Sequence, residues 1–128
     1  MVLFPRLPCL LAATATVSAC AAVVTVDAER LRLASPEFRA YVERVFREQN
    51  ELADRFAFAA EDQPSAAEAL VTAEQTLLGA CAGVNELATA RRDSRRLGMR
   101  RSLDLARSVP GCEQATRLAA TALAATSK

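Results

Sequence analysis

From Ser35 onward the chain alternates apolar and polar positions with a helical period. Phe38, Tyr41, Val42, Val45, Phe46, Leu52, Ala53 and Phe56 recur at steps of three and four, while Arg39, Glu43, Arg44, Glu48, Glu51 and Arg55 occupy much of the rest. That spacing predicts a helix with one apolar face. Ser35-Pro36-Glu37 supplies its start: a capping side chain, a proline suited to the first turn and an acid at the positive end of the dipole. The helix is expected to end near Ala60, before a turn at Glu61-Asp62-Gln63-Pro64. Ser65-Ala66-Ala67-Glu68 then has capping-box spacing, and Leu70, Ala73, Leu77, Ala80, Val84 and Leu87 keep a heptad-like stripe through one second helix. Gly79 and Gly83 flank Cys81 on that helix and leave room for another backbone to approach. An arginine-rich run interrupts the pattern. A third helix is expected from about Ser94 or Met99 to Ser108, a turn at Pro110-Gly111, and a short alanine-rich helix over residues 112–125.

These elements predict an all-α fold: a three- or four-helix antiparallel bundle, or helical hairpins, following an N-terminal signal segment. Composition sharpens the picture. The hydrophobic fraction is 52%, but there is no Trp, one Tyr and five Phe, and much of the remainder is alanine, which favours helix and buries little area. Slender, closely packed helices follow. The formal charge is only +1, so no global field draws the chain to nucleic acid or to a membrane surface. The distribution is uneven, however: residues 27–90 carry a net −6 and residues 91–128 a net +6, so the two parts attract each other.

Histidine is absent, which removes the commonest general base and the commonest metal ligand. No nucleotide-binding glycine loop or nucleophile elbow occurs, and neither a metal nor a cofactor is expected. Glu43, Glu48, Glu51 and Asp54 are interleaved with Arg44, Arg47 and Arg55 and read as a solvated helix surface, since a catalytic carboxylate pair requires a cleft and a raised pKa. The Phe38, Phe46 and Phe56 stripe reads as core. A non-catalytic protein is the expectation.

The first residues carry a different signal. No acidic or basic residue lies between residues 7 and 26, after a start whose single charged side chain is Arg6. Within this stretch Val17-Ser18-Ala19-Cys20 resembles the lipobox of bacterial lipoproteins, with Val17 in place of the usual Leu. The resemblance covers only the leader. It implies a signal peptide over residues 1–19, lipidation of Cys20 as the new N-terminus, a tether over residues 20–34 and a helical domain over residues 35–128. It also implies a location in the bacterial cell envelope facing the periplasm, with Ala21 after the cysteine resembling outer-membrane sorting in enteric-type bacteria. Two other outcomes remain open. Val17-Ser18-Ala19 and Ala19-Cys20-Ala21 also fit ordinary signal cleavage and secretion, and twenty uncharged residues are long enough for a retained membrane anchor. Residues 21–26 are apolar, unlike most lipoprotein tethers, and read as a short strand or as an extension of an anchoring helix.

Export makes Cys81 and Cys112 a pair in an oxidising compartment, with a disulfide as the leading reading and a buried free thiol at Cys81 as the alternative. A disulfide needs α-carbons within about 7 Å, whereas unbroken helix from Cys81 to Val109 would span roughly 42 Å. The chain is therefore expected to reverse between them, near Asp93-Ser94 and Gly98. Closing that loop is worth about 2–4 kcal/mol. Arg91, Arg92, Arg95, Arg96, Arg100 and Arg101 then fall at the tip of the reversal, as a candidate contact for anions or a protein partner. A solvated helix end is the simpler explanation, and without interleaved aromatics the cluster is a weak nucleic-acid signal. The expected partners are thus the membrane, through the lipid, and an envelope protein, with no nucleic acid. A soluble secreted inhibitor or ligand-binding protein is the alternative.

Overall fold

The computed structural model describes residues 21–126; the leader and Cys20 lie outside them. The order is β1 (Ala22–Val24), β2 (Arg30–Arg32), α1 (Pro36–Asp62), α2 (Ala67–Ala80), α3 (Ala82–Arg92) and α4 (Met99–Thr126). The fold is the expected helical bundle with one disulfide, preceded by a small hairpin.

α1 begins where the sequence places it. Ser35 is extended (φ −81°, ψ 153°) and its Oγ accepts the Phe38 N–H at 3.1 Å, with Pro36 in the first turn. At 27 residues the helix is about 40 Å long. Its buried stripe is Phe38, Tyr41, Val42, Val45, Gln49, Leu52, Ala53 and Phe56. Gln49 occupies an apolar position of that stripe: its Nε2 donates to Asn85 Oδ1 at 2.9 Å, and its Oε1 has no partner among the described residues.

The single second helix is in fact two, meeting at Cys81 (φ −96°, ψ 4°). The junction falls between Gly79 and Gly83, where helix propensity is lowest. Of these two glycines only Gly83 is closely approached: a Cβ there would collide with Ser108 Oγ, whereas nothing lies within 4 Å at Gly79. Ala80 is exposed and Cys81 takes the buried place. The Ser65 capping box does not form either; α2 starts after Ala66 with no side-chain cap. A tight turn has already supplied acceptors, with Ala66 N–H bonded to Gln63 O (2.9 Å) and Ala67 N–H to Pro64 O (3.4 Å).

The reversal lies where the cysteines require it. α3 closes in a Schellman arrangement, Arg95 N–H to Ala90 O at 2.8 Å and Ser94 N–H to Arg91 O at 3.1 Å, with Ser94 in the left-handed region (φ 52°) that glycine usually fills. Cys81 and Cys112 are bonded, with α-carbons 4.6 Å apart.

The Pro110-Gly111 turn is overturned: α4 is one helix of 28 residues with Pro110 inside it. A proline removes one intrahelical hydrogen bond and crowds the preceding turn. Here Leu105, Ala106, Val109, Cys112, Glu113 and Thr116 form one buried stripe that runs across it. Packing of that face on both sides of Pro110, fastened at Cys112, outweighs the local penalty.

Cross-contacts set the helix directions. Gln49 meets Asn85 while Arg91 lies near Glu43 and Arg39, so α3 runs against α1, and α4, folded back along α3 by the reversal, runs with α1. The hairpin pairs Val23 with Leu31, and both side chains are buried in the shared core with Phe38 and Tyr41. Residues 22–32 are therefore a packed part of the domain, with the strand that the apolar run at residues 21–26 suggested. Ala28, at φ 64°, lies in the five-residue loop that joins the two strands.

Candidate functional site

Three places combine charge or open apolar surface. The first is the arginine run. Arg91, Arg92, Arg95, Arg96, Arg100 and Arg101 are all exposed and surround the reversal between α3 and α4. Arg101 donates through Nε to Glu86 Oε1 at 3.1 Å, with a second contact from Nη2 to Oε2. This hydrogen bonding, reinforced by the charges of Arg101 and Arg95, holds Glu86 below the usual carboxylate range. Arg92 pairs with adjacent Asp93 at 3.2 Å, and Arg91 lies within electrostatic reach of Glu43 and Arg39 on α1. Arg96 and Arg100 enter no ion pair among the described residues. The tip thus presents cations to solvent, partly neutralised at one side.

The second place escaped the sequence reading. Glu113 on α4 is completely buried, yet four donors converge on it. Tyr41 Oη donates to Oε2 at 2.7 Å, Arg117 Nη2 to Oε1 at 2.9 Å, Arg44 Nη2 to Oε1 at 3.1 Å and the Val26 N–H to Oε2 at 3.4 Å. Arg117 also grips Asp27 through two hydrogen bonds of 2.9 and 2.7 Å, and Arg44 stacks over the Tyr41 ring 5.3 Å from its centre. Burial pushes the Glu113 carboxyl upward, but the hydrogen bonds from Tyr41, Arg44 and Val26 and the Arg44 charge bring it below its ordinary value. Burial, with the adjoining carboxylate, pushes the Tyr41 phenol well up. An ionised carboxylate sealed from solvent and held by four donors fastens the hairpin to α1 and α4. It is poorly placed to exchange protons with a substrate.

Signals for this cluster existed: Glu113 and Arg117, like Arg44 and Glu48, are four apart on a helix. Breaking α4 at Pro110 hid the fact that Glu113 falls on the same buried stripe as Val109 and Cys112. The four acids weighed on α1 do not converge in the same way; Glu48 serves only as an exposed partner of Arg44 at 3.2 Å.

The third place is an open groove of about 910 Å³ between the hairpin's end and the first turns of α4. Ala21 and Leu33 form one wall, Met99, Leu103 and Ala106 the other. Arg32 and Arg107 also line it.

Among the described residues no group of His, Cys, Asp and Glu is placed to hold a metal ion, and no helix is long and apolar enough to cross a membrane. The class defined by these features is a disulfide-closed helical bundle with a hairpin pinned by a buried carboxylate. No protein-family model, curated protein or solved structure matches the chain.

Proposed function

We propose that this protein is a small exported lipoprotein of the bacterial cell envelope, anchored through lipid on Cys20, with a non-catalytic structural or protein-binding role. The observation that carries this reading is Val17-Ser18-Ala19-Cys20 at the end of an uncharged leader. The Cys81–Cys112 bond supports it, because such bonds persist in oxidising compartments. In this reading the hairpin lies next to the anchor, because β1 begins at Ala22, two residues after the cysteine that would carry lipid. The exposed arginine tip is the candidate contact for an envelope partner.

The apolar groove favours one second reading, a secreted ligand-binding protein with no lipid. Intact mass spectrometry of protein from its native membrane, with and without reduction and alkylation, separates the two. A mass starting at Cys20 plus lipid, with Cys81 and Cys112 alkylated only after reduction, is the expected result. An unlipidated chain starting near Cys20 or Ala22 in the culture fluid would replace it with the second reading, and a full-length mass would point to a retained anchor.

A further inference from the structure

The groove at the start of the domain combines three properties. Its walls are apolar, and Met99, at 83% exposure the most exposed large hydrophobic residue among those described, stands at one edge. Its rim is basic: Arg32 and Arg107 line it, no acid does, and Arg100 falls on the same helical stripe as Leu103 and Arg107 by its i, i+3, i+7 spacing. Arg100 and Arg107 are both exposed, and neither enters an ion pair among the described residues. Finally, Ala21 itself forms part of a wall. The residue before it is Cys20, one peptide unit or about 3.8 Å away.

We infer that this groove is the face on which the domain rests against its membrane, taking an acyl chain of an anionic phospholipid while Arg100 and Arg107 meet the phosphate. The inference rests on the proposed Cys20 anchor for the nearness of a bilayer; the groove and its charges choose the orientation. Because Ala21 follows that cysteine directly, the Ala21 side of the domain would face the headgroups. That side is also where the apolar walls and the exposed Arg100 and Arg107 lie. Basic residues beside a lipid anchor act as its second, electrostatic signal. The anionic phospholipid is favoured over a neutral one by the absence of any acid from the groove.

The chain contains two methionines, Met1 and Met99, so once residues 1–19 are removed Met99 alone reports oxidation. Protein purified from its membrane would be reconstituted into vesicles of phosphatidylcholine alone or mixed with phosphatidylglycerol. Peroxide oxidation is then followed by intact mass, which also reports lipid at Cys20. Met99 should oxidise more slowly in the phosphatidylglycerol vesicles than in the neutral ones. Replacing Arg100→Gln or Arg107→Gln should weaken the docked state about fivefold each, whereas Arg55→Gln, far along α1, should leave it unchanged. Equal oxidation rates in the two vesicle types would overturn the inference even with Cys20 lipidated. Protection that depends on protein concentration and not on lipid charge would assign the groove to a second copy and overturn it too. Conversely, unlipidated protein that floats with anionic vesicles and protects Met99 would uphold the groove while sinking the lipid anchor.

Discussion

Glu113 and the arginines of residues 91–101 are charged groups in the same part of the chain, yet they live under opposite conditions. The arginines are numerous, adjacent and exposed, and Arg96 and Arg100 have no ion pair among the described residues. Glu113 is a lone acid in an alanine-rich segment, and it is fully buried with Tyr41, Arg44, Arg117 and the Val26 N–H around it. The lesson concerns energy, not number. Exposed charges are stabilised by water and contribute little to folding, whereas a buried charge is tolerated only when its partners replace that water.

The sharpest way to break this comparison is to remove the buried member. Glu113→Ala leaves the Tyr41 hydroxyl and the inward-facing arginine groups without their acceptor and should cost about 3–5 kcal/mol in urea unfolding. Arg96→Gln at the tip should stay within about 0.5 kcal/mol. If both cost the same, the distinction between cluster and tip fails. Glu113 also governs acid stability. Its folded pKa lies below the ordinary 4.5, so its contribution is complete above that value and disappears as pH falls through the lower, folded one. Glu113→Gln should therefore flatten the decline in stability below pH 4.5, measured by circular dichroism against pH.

Next in size is the disulfide, which closes the base of the α3–α4 hairpin that carries the tip. Closing a loop with a separation of 31 residues corresponds to about 3.7 kcal/mol in the chain-entropy description. Reduction should lower the unfolding midpoint accordingly, and a reduced protein of equal stability would mean that helix packing alone holds α3 to α4. Gly83→Ala tests that packing directly, because its Cβ would strike Ser108 Oγ; a cost of about 1–3 kcal/mol is expected, while Gly79→Ala should be neutral or slightly stabilising. A last effect belongs to the turn at the tip. Ser94→Gly relieves a left-handed serine and should stabilise by about 1 kcal/mol in thermal unfolding. A loss there would mean that the Ser94 side chain contributes something the turn geometry does not show.

The local signals in the sequence fared unevenly, for physical reasons. Ser35-Pro36 and the apolar stripe after it specify α1 because cap, first turn and face agree within a single element. The capping box at Ser65 and the turn at Pro110-Gly111 rely on short-range preferences of about 1–3 kcal/mol, which neighbouring structure can override. At Ser65 a preceding turn had already supplied the acceptors. At Pro110 the buried stripe from Leu105 to Thr116 held the helix together.

Sequence alone therefore determined the helical class, the reversal between Cys81 and Cys112, and the exposure of the arginine run, since each follows from local periodicity, bond reach or charge density. Tertiary structure decided the rest. It split the second helix at Cys81, carried α4 through Pro110 and seated Gln49 in the core. It also gathered Asp27, Tyr41, Arg44, Glu113 and Arg117 from three separate parts of the chain. Helical spacing restricts which residues share a face, but not which face meets which; that choice belongs to the packing of whole elements, where the gain from a common core outweighs any single local preference.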